Sequence, residues 1–239
     1  MKSNLLLILS ILVFLSCSKN EDSAPANSGI PLIKTITADS SVIGSYWYDN
    51  LGRITCSRTN QSPGIDSTVY VYGKNSLEKR IFNGGILMQT EYGVLVNGNL
   101  VSMNGIKPDS SSFWSIYYTY DENGFLIREI HMDNDTTETW RVEYHVVEGN
   151  VISMNRSNYF PVVFTFEYYQ GTTNSLGFLE QGPFMGKYSK NLIKKTRITY
   201  SSGTTGEEDY AYEYYENGWV RKMTVNFASQ TNVLSFTYW

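Results

Sequence analysis

The sequence predicts an all-β fold: an antiparallel up-and-down meander of about 14 to 16 strands, closing into a barrel or into a flattened barrel or sandwich. Three observations carry this expectation. The 239 residues include 35 aromatic side chains and only five alanines, a composition that favours pleated surfaces over helices. Polar turns built around glycine recur near positions 52, 75, 98, 124 and 149, at spacings of 23 to 26 residues. Between them apolar and polar residues alternate, as in Trp140, Val142, Tyr144 and Val146 against Thr139, Arg141, Glu143 and His145.

The chain opens with a targeting segment. Lys2 gives a basic start, the largely apolar run Leu5–Leu15 is too short to span a bilayer as a helix, and Ser16-Cys17 ends it. A small residue directly before Cys in this place resembles a bacterial lipobox, which implies removal of residues 1–16 and acylation of Cys17. Phe14 stands three places before the Cys, where such boxes usually have Leu. Membrane association then comes from buried acyl chains, and Cys56 is left without a partner, as a small buried apolar residue. Residues 17–29 are polar, contain Pro25 and follow no apolar period, so they are expected to form a flexible tether. Its Lys19-Asn20-Glu21-Asp22 start reads equally as an acidic surface-export signal or as solvated charge.

Residues 30–239 are expected to form a single hairpin-repeat domain. The strings YDNLGRIT from Tyr48, YDENGFLI from Tyr120 and YYENGWVR from Tyr214 share one pattern: an aromatic strand end, an acidic or polar turn, a glycine in the left-handed conformation, and an outgoing strand. The seven residues GNLVSMN from Gly98 return almost unchanged as GNVISMN from Gly149, two repeat units later. Prolines 31, 63, 108, 161 and 183 all fall outside or at the ends of the expected strands, where a missing N–H removes no ladder bond. Tyr210, Tyr212 and Tyr214 line one face of a further strand. After Tyr169 the pattern breaks, and residues at about 170–195 form an insert with four glycines and one proline, available to fill a barrel lumen.

Lipobox, tether, Tyr-Asp-x-x-Gly hairpins and the string GKYSKNLIKK together resemble a Bacteroides-type lipoprotein family of unknown function with a porin-like β-barrel. The hairpins alone also resemble YD repeats. The resemblance implies a fold and an outer-membrane lipoprotein, on the cell surface or the periplasmic face, and assigns no catalytic residue. A membrane-spanning barrel needs an apolar outer face on every strand. In the strand from Phe125, one face holds Phe125, Ile127, Glu129 and His131 and the other Leu126, Arg128, Ile130 and Met132, so either choice points charge at lipid. In the last strand Ser235 and Thr237 share a face where an insertion signal would want apolar residues. The barrel is therefore expected to be soluble and held to the membrane by lipid.

Little in the chain points to chemistry. The formal charge of -4, with both signs interspersed, offers no cationic stripe for nucleic acid. His131 and His145 fall about 20 Å apart in a hairpin register, too far to share a metal. Ser76 and Lys79 match a Ser-x-x-Lys pattern but point to opposite faces of a strand. The clusters Glu207-Glu208-Asp209 and Asp133-Asn134-Asp135 read as solvated turn chemistry between strands. Trp114, Trp140 and Trp219 read as core residues before sugar-stacking ones. No catalytic residue, metal ligand or cofactor is expected. Loops on rigid scaffolds often carry function, which makes Phe178, Phe184 and Tyr188 of the insert the candidate contacts for a small molecule, glycan or peptide, the alternative being that they plug the barrel. The leading expectation is a non-enzymatic envelope lipoprotein. The alternative is a glycosidase-like hydrolase of envelope or dietary polymers, using carboxylates that only the fold brings together.

Overall fold

The structure, a computed structural model, describes residues 31–61, 64–106, 113–133, 137–157, 160–177 and 184–239. The expected signal segment and tether, with Cys17, and Phe178 lie outside these residues. Sixteen strands follow in order: β1 (Ile33–Ala38), β2 (Ser41–Tyr48), β3 (Ile54–Gln61), β4 (Gly64–Tyr72), β5 (Ser76–Asn83), β6 (Ile86–Val96), β7 (Asn99–Ile106) and β8 (Phe113–Tyr120). The second half is β9 (Leu126–Asp133), β10 (Thr137–Val147), β11 (Asn150–Ser157), β12 (Val162–Tyr168), β13 (Ile193–Tyr200), β14 (Thr205–Tyr214), β15 (Val220–Phe227) and β16 (Gln230–Tyr238). Each strand pairs antiparallel with its sequence neighbours, and β1 pairs with β16, so the sheet closes into a barrel rather than splitting into a sandwich. Closure removes the two edges that an open meander would leave unpaired. No helix among the described residues is long and apolar enough to cross a membrane.

The recurrent turns gather at one end. The connections β2–β3, β6–β7, β8–β9, β10–β11 and β14–β15 turn at Gly52, Gly98, Gly124, Gly149 and Gly218, all with positive φ. Asn97 and Glu148 also have positive φ, so each copy of the repeated string opens in a two-residue turn whose twist matches the strands it joins. In the Tyr-Asp turns the carboxylate closes the loop: Asp49 Oδ1 accepts from Leu51 N and Arg53 N at 2.9 Å, and Asp121 Oδ1 accepts from Phe125 N at 2.8 Å.

Bulges next to these turns shift the register by one residue. The bulge at Thr119/Tyr120 corrects one expected face: Tyr120 pairs with Leu126 and Tyr118 with Glu129, which brings Leu126 onto the inner face with Glu129 and His131. A second correction concerns Glu207-Glu208-Asp209, which lies within β14 and not between strands. Strand alternation sends Glu207 and Asp209 outward to Lys195 and Arg197, and Glu208 inward to Tyr210. Only Asp133 of the other acidic cluster is described, at the end of β9. Cys56 is 6% exposed and disulfide-bonded, which corrects the expectation of an unpartnered thiol.

The core lies inside the barrel, against the insert, which runs from Tyr169 to Leu192. One cluster joins Ile33, Ile36, Val220 and Phe236 to Leu176 and Leu192 of the insert. The other joins Leu77, Leu95, Leu100, Met103 and Leu126 to Met185, with Phe184 packed on it. The inner wall is thus apolar and aromatic, while the outer wall carries ion pairs such as Arg197–Glu207 at 2.8 Å and Lys222–Glu213 at 2.7 Å.

Candidate functional site

Where the lumen is closed, backbone groups freed by the bulges do the closing. The N–H of Leu100 donates to Phe184 O at 2.8 Å, that of Val151 to Ser189 Oγ at 3.1 Å and that of Val220 to Ser175 Oγ at 3.1 Å. Leu100 and Val151 hold the same place in the two copies of the repeated string, so the repeat also supplies two docking points for the insert. Lys187 N and Lys190 N donate to Gly124 O and Gly149 O of the turns, each at 2.9 Å. Asn150 and Asn191, both buried, bond reciprocally: Asn191 N reaches Asn150 Oδ1 at 3.0 Å and Asn150 Nδ2 reaches Asn191 Oδ1 at 3.1 Å. Gly186 sits so close to Gly124 O and the Tyr120 ring that any Cβ there would collide, and its φ of 82° is one that side chains disfavour.

A tyrosine from the last two turns of the zigzag in an even strand clasps the start of the odd strand before it. Tyr48 OH donates to Ile33 O at 2.9 Å, Tyr120 OH to Leu100 O at 2.7 Å and Tyr168 OH to Val151 O at 2.6 Å. Tyr212 OH donates to Ile193 O and Tyr238 OH to Val220 O, each at 2.8 Å. Burial pushes the Tyr48, Tyr120 and Tyr238 phenols up, Tyr238 to about 12. Tyr72, at the corresponding end of β4, is the exception: its hydroxyl is buried with no hydrogen-bond partner.

Away from the insert the inner wall turns polar. Glu91 of β6, 5% exposed, accepts from Lys79 Nζ at 2.8 Å and from Gln89 Nε2 at 2.7 Å. Glu129 of β9 accepts a short hydrogen bond from Tyr144 OH and lies 3.3 Å from His131 Nε2. The His131 ring stacks on Trp140, with centroids 3.2 Å apart. Tyr118 lies between the two groups. Burial pushes its phenol up first, and the Glu129 and Glu91 carboxylates add to the shift. Burial and then Glu129 do the same to Tyr144. Carboxylates, phenols, an imidazole and indole rings on one rigid wall suit recognition of a ligand that offers hydroxyl or amide groups beside an apolar face. The carboxylates are engaged by donors: Glu91 by Lys79 and Gln89, Glu129 by Tyr144 and His131, and Glu208 by Tyr210.

Of the expected contact residues, Phe178 lies outside the described residues. Phe184 packs against the core cluster, with its ring centroid 6.1 Å from that of Tyr70. Tyr188 covers Gly177, and its phenol helps to raise those of Tyr48 and Tyr72 on β2 and β4. Both lie in the insert between β12 and β13. Glu91, Glu129 and Tyr144 were not singled out by the sequence as contacts; the signal available was a charged residue at an inward position of an otherwise apolar strand. His131 faces the lumen and pairs with Trp140, whereas His145 pairs with Ser153 on the outer face, and no group of metal-ligating side chains occurs among the described residues. Ser76 and Lys79 do point to opposite faces.

No protein-family model matches the chain, and no curated protein matches it. Solved structures do. A porin-like protein from Bacteroides uniformis superposes with a TM-score of 0.66 at 14% identity, covering 85% of this chain and 91% of that one. A porin-like protein from Bacteroides vulgatus gives 0.60 at 12% identity, covering 87% and 98%. The fold is a porin-like barrel. Identity this low carries the fold alone.

Proposed function

We propose that the chain is a non-enzymatic envelope lipoprotein, anchored through an acylated Cys17, whose plugged barrel receives a small polar ligand such as a glycan or peptide. The observation that carries this reading is the insert seated across one end of the lumen. A barrel stoppered by its own chain is a receptacle and not a conduit, and around β14 the wall carries ion pairs outward and aromatics inward, the polarity of a water-soluble barrel. Glu129, His131, Tyr144 and Trp140 form the polar end of the receptacle. Phe178 remains a candidate contact, and Phe184 and Tyr188 set the floor.

Two measurements test it. Cells expressing the chain incorporate labelled palmitate, and Cys17→Ser abolishes the label; label retained in that variant overturns the anchor. Cys17 is the only other cysteine of the chain, so acylation there excludes the Cys56 disulfide, and a disulfide that persists in the labelled chain overturns the anchor. A chain beginning at Ser18, screened against glycan and peptide arrays, binds saturably, and Glu129→Gln weakens binding by about tenfold, the effect expected of one charged hydrogen bond. Binding that survives both Glu129→Gln and Trp140→Ala places the ligand elsewhere.

A further inference from the structure

The outer wall of the barrel is two-faced. Strands β7 and β8 contain no charged residue, and the one on β6, Glu91, faces the lumen. Outward on β6 stand Tyr92, Val94 and Val96, each 48–50% exposed, flanked by Ile106 and by Tyr117, which is 45% exposed. The row Val94, Ser102 and Tyr117 runs straight across the three strands. At the tip of the β5–β6 hairpin, Ile86, Leu87 and Met88 are three consecutive exposed apolar residues, 69%, 38% and 49% accessible. Among the described residues, a Cβ added at Gly84 or Gly85 would meet nothing within 4 Å, so this tip stands clear of them. Exposed runs of this kind are disfavoured in a freely soluble protein unless something covers them.

Half a circumference away the wall is the opposite. β14 is the eighth strand from β6 in the ring of sixteen, and its outward Glu207, Asp209 and Glu213 are cross-linked to Lys195, Arg197, Arg221 and Lys222 of its neighbours. The barrel is therefore amphipathic across its diameter, as a surface-lying helix is across its own.

We propose that the β6–β8 flank, with the β5–β6 tip, is a membrane-contact face that lies against the lipid surface while the β14 flank faces water. This rests on the lipoprotein reading, since the acylated Cys17 is what holds the chain beside lipid. The tether permits the posture: Cys17 stands sixteen residues before Ile33, a reach of up to about 55 Å, against about 26 Å for an eight-residue strand. Tyrosines at the contact suit the headgroup boundary, and the lack of charge there avoids the desolvation that ion pairs would suffer. The flank also supplies the second signal that a singly acylated chain needs for stable attachment.

The test uses the chain from Ser18, which keeps every strand, the β1–β16 closure and the insert, but carries no lipid. In a Cys56→Ser background, an environment-sensitive dye is placed at Val94→Cys or, as control, at Asp209→Cys, and phosphatidylcholine vesicles are added. The dye at position 94 brightens and shifts to the blue, that at 209 does not, and the response at 94 is insensitive to salt. Tyr92→Glu with Tyr117→Glu lowers vesicle partitioning by about tenfold or more, as charges near an interface do. Equal responses at both positions, no response at either, or a response at 94 that grows with protein concentration without vesicles, which marks a second copy on the flank, each overturn the proposal. Palmitate labelling of the full chain reads the lipoprotein assignment separately, so the two can fail independently.

Discussion

At the plugged end of the barrel, Ile33, Leu77, Leu100, Leu126, Val220 and Phe236 are all within 1% of full burial, and the clasping tyrosines bond across the strand starts. At the far end the same strands carry half-exposed or exposed side chains, among them Tyr200 at 46% and Phe227 at 37%. The hairpins are alike, so the difference lies in what fills the space between them. A sixteen-stranded ring is too wide for its own side chains to meet across it, and only the insert gives the inner wall something to pack against. Stability is therefore concentrated at one end.

Substitutions sharpen that contrast. Phe236→Ala, in the sealed half, should destabilise by about 3–5 kcal/mol, whereas Phe227→Ala at the far end should cost far less; equal urea midpoint shifts would remove the distinction. Next in size, Asn191→Ala strands its partner Asn150 in a buried site and should cost about 1–3 kcal/mol, with faster proteolysis of the insert as a second readout. Tyr120→Phe removes one clasp and should cost about 1 kcal/mol, while Tyr72→Phe, which removes a hydroxyl already without a partner, should be neutral or stabilising.

The clasps also set an alkaline limit. Tyr238 has its folded pKa raised to about 12 from an unfolded value of 10.0, so its stabilising contribution is complete below pH 10 and is lost as pH rises towards 12. Thermal melts between pH 9 and pH 12 should show that decline, and Tyr238→Phe should flatten it. The smallest effect is expected at the charged flank. Lys222 and Arg221 hold the exposed Glu213 carboxyl below its usual range, a contribution present at neutral pH and lost as pH falls through that lowered pKa. Glu213→Gln should leave the melting temperature at neutral pH almost unchanged, because solvent screens the pair.

Much of the fold could be read from local pattern. Turn glycines such as Gly98, Gly124 and Gly149 mark hairpins because few residues tolerate positive φ, and alternation in β10 marks which side chains share a face. The insert stood out because its glycines and Pro183 interrupt that alternation. Local pattern failed where one residue of slippage matters: the bulge beside Tyr120 moved Leu126 to the inner face, and strand extension drew Glu207–Asp209 out of a supposed turn. The lumen group was invisible for a related reason. Glu91, Glu129 and Tyr144 come from β6, β9 and β10, and no spacing along the chain encodes which positions of a closed ring converge.

By itself the amino-acid sequence determined the strand grammar, the hairpin turns and the segment that breaks them, because backbone torsion and side-chain alternation act over a few residues. Only the tertiary structure decided that the meander closes on itself, that the break becomes the plug, and that an uncharged flank lies opposite a charged one. Those outcomes depend on closure of a ring in which β1 meets β16 across nearly the whole chain, and on the free energy gained when an apolar wall finds a partner, both of which are non-local.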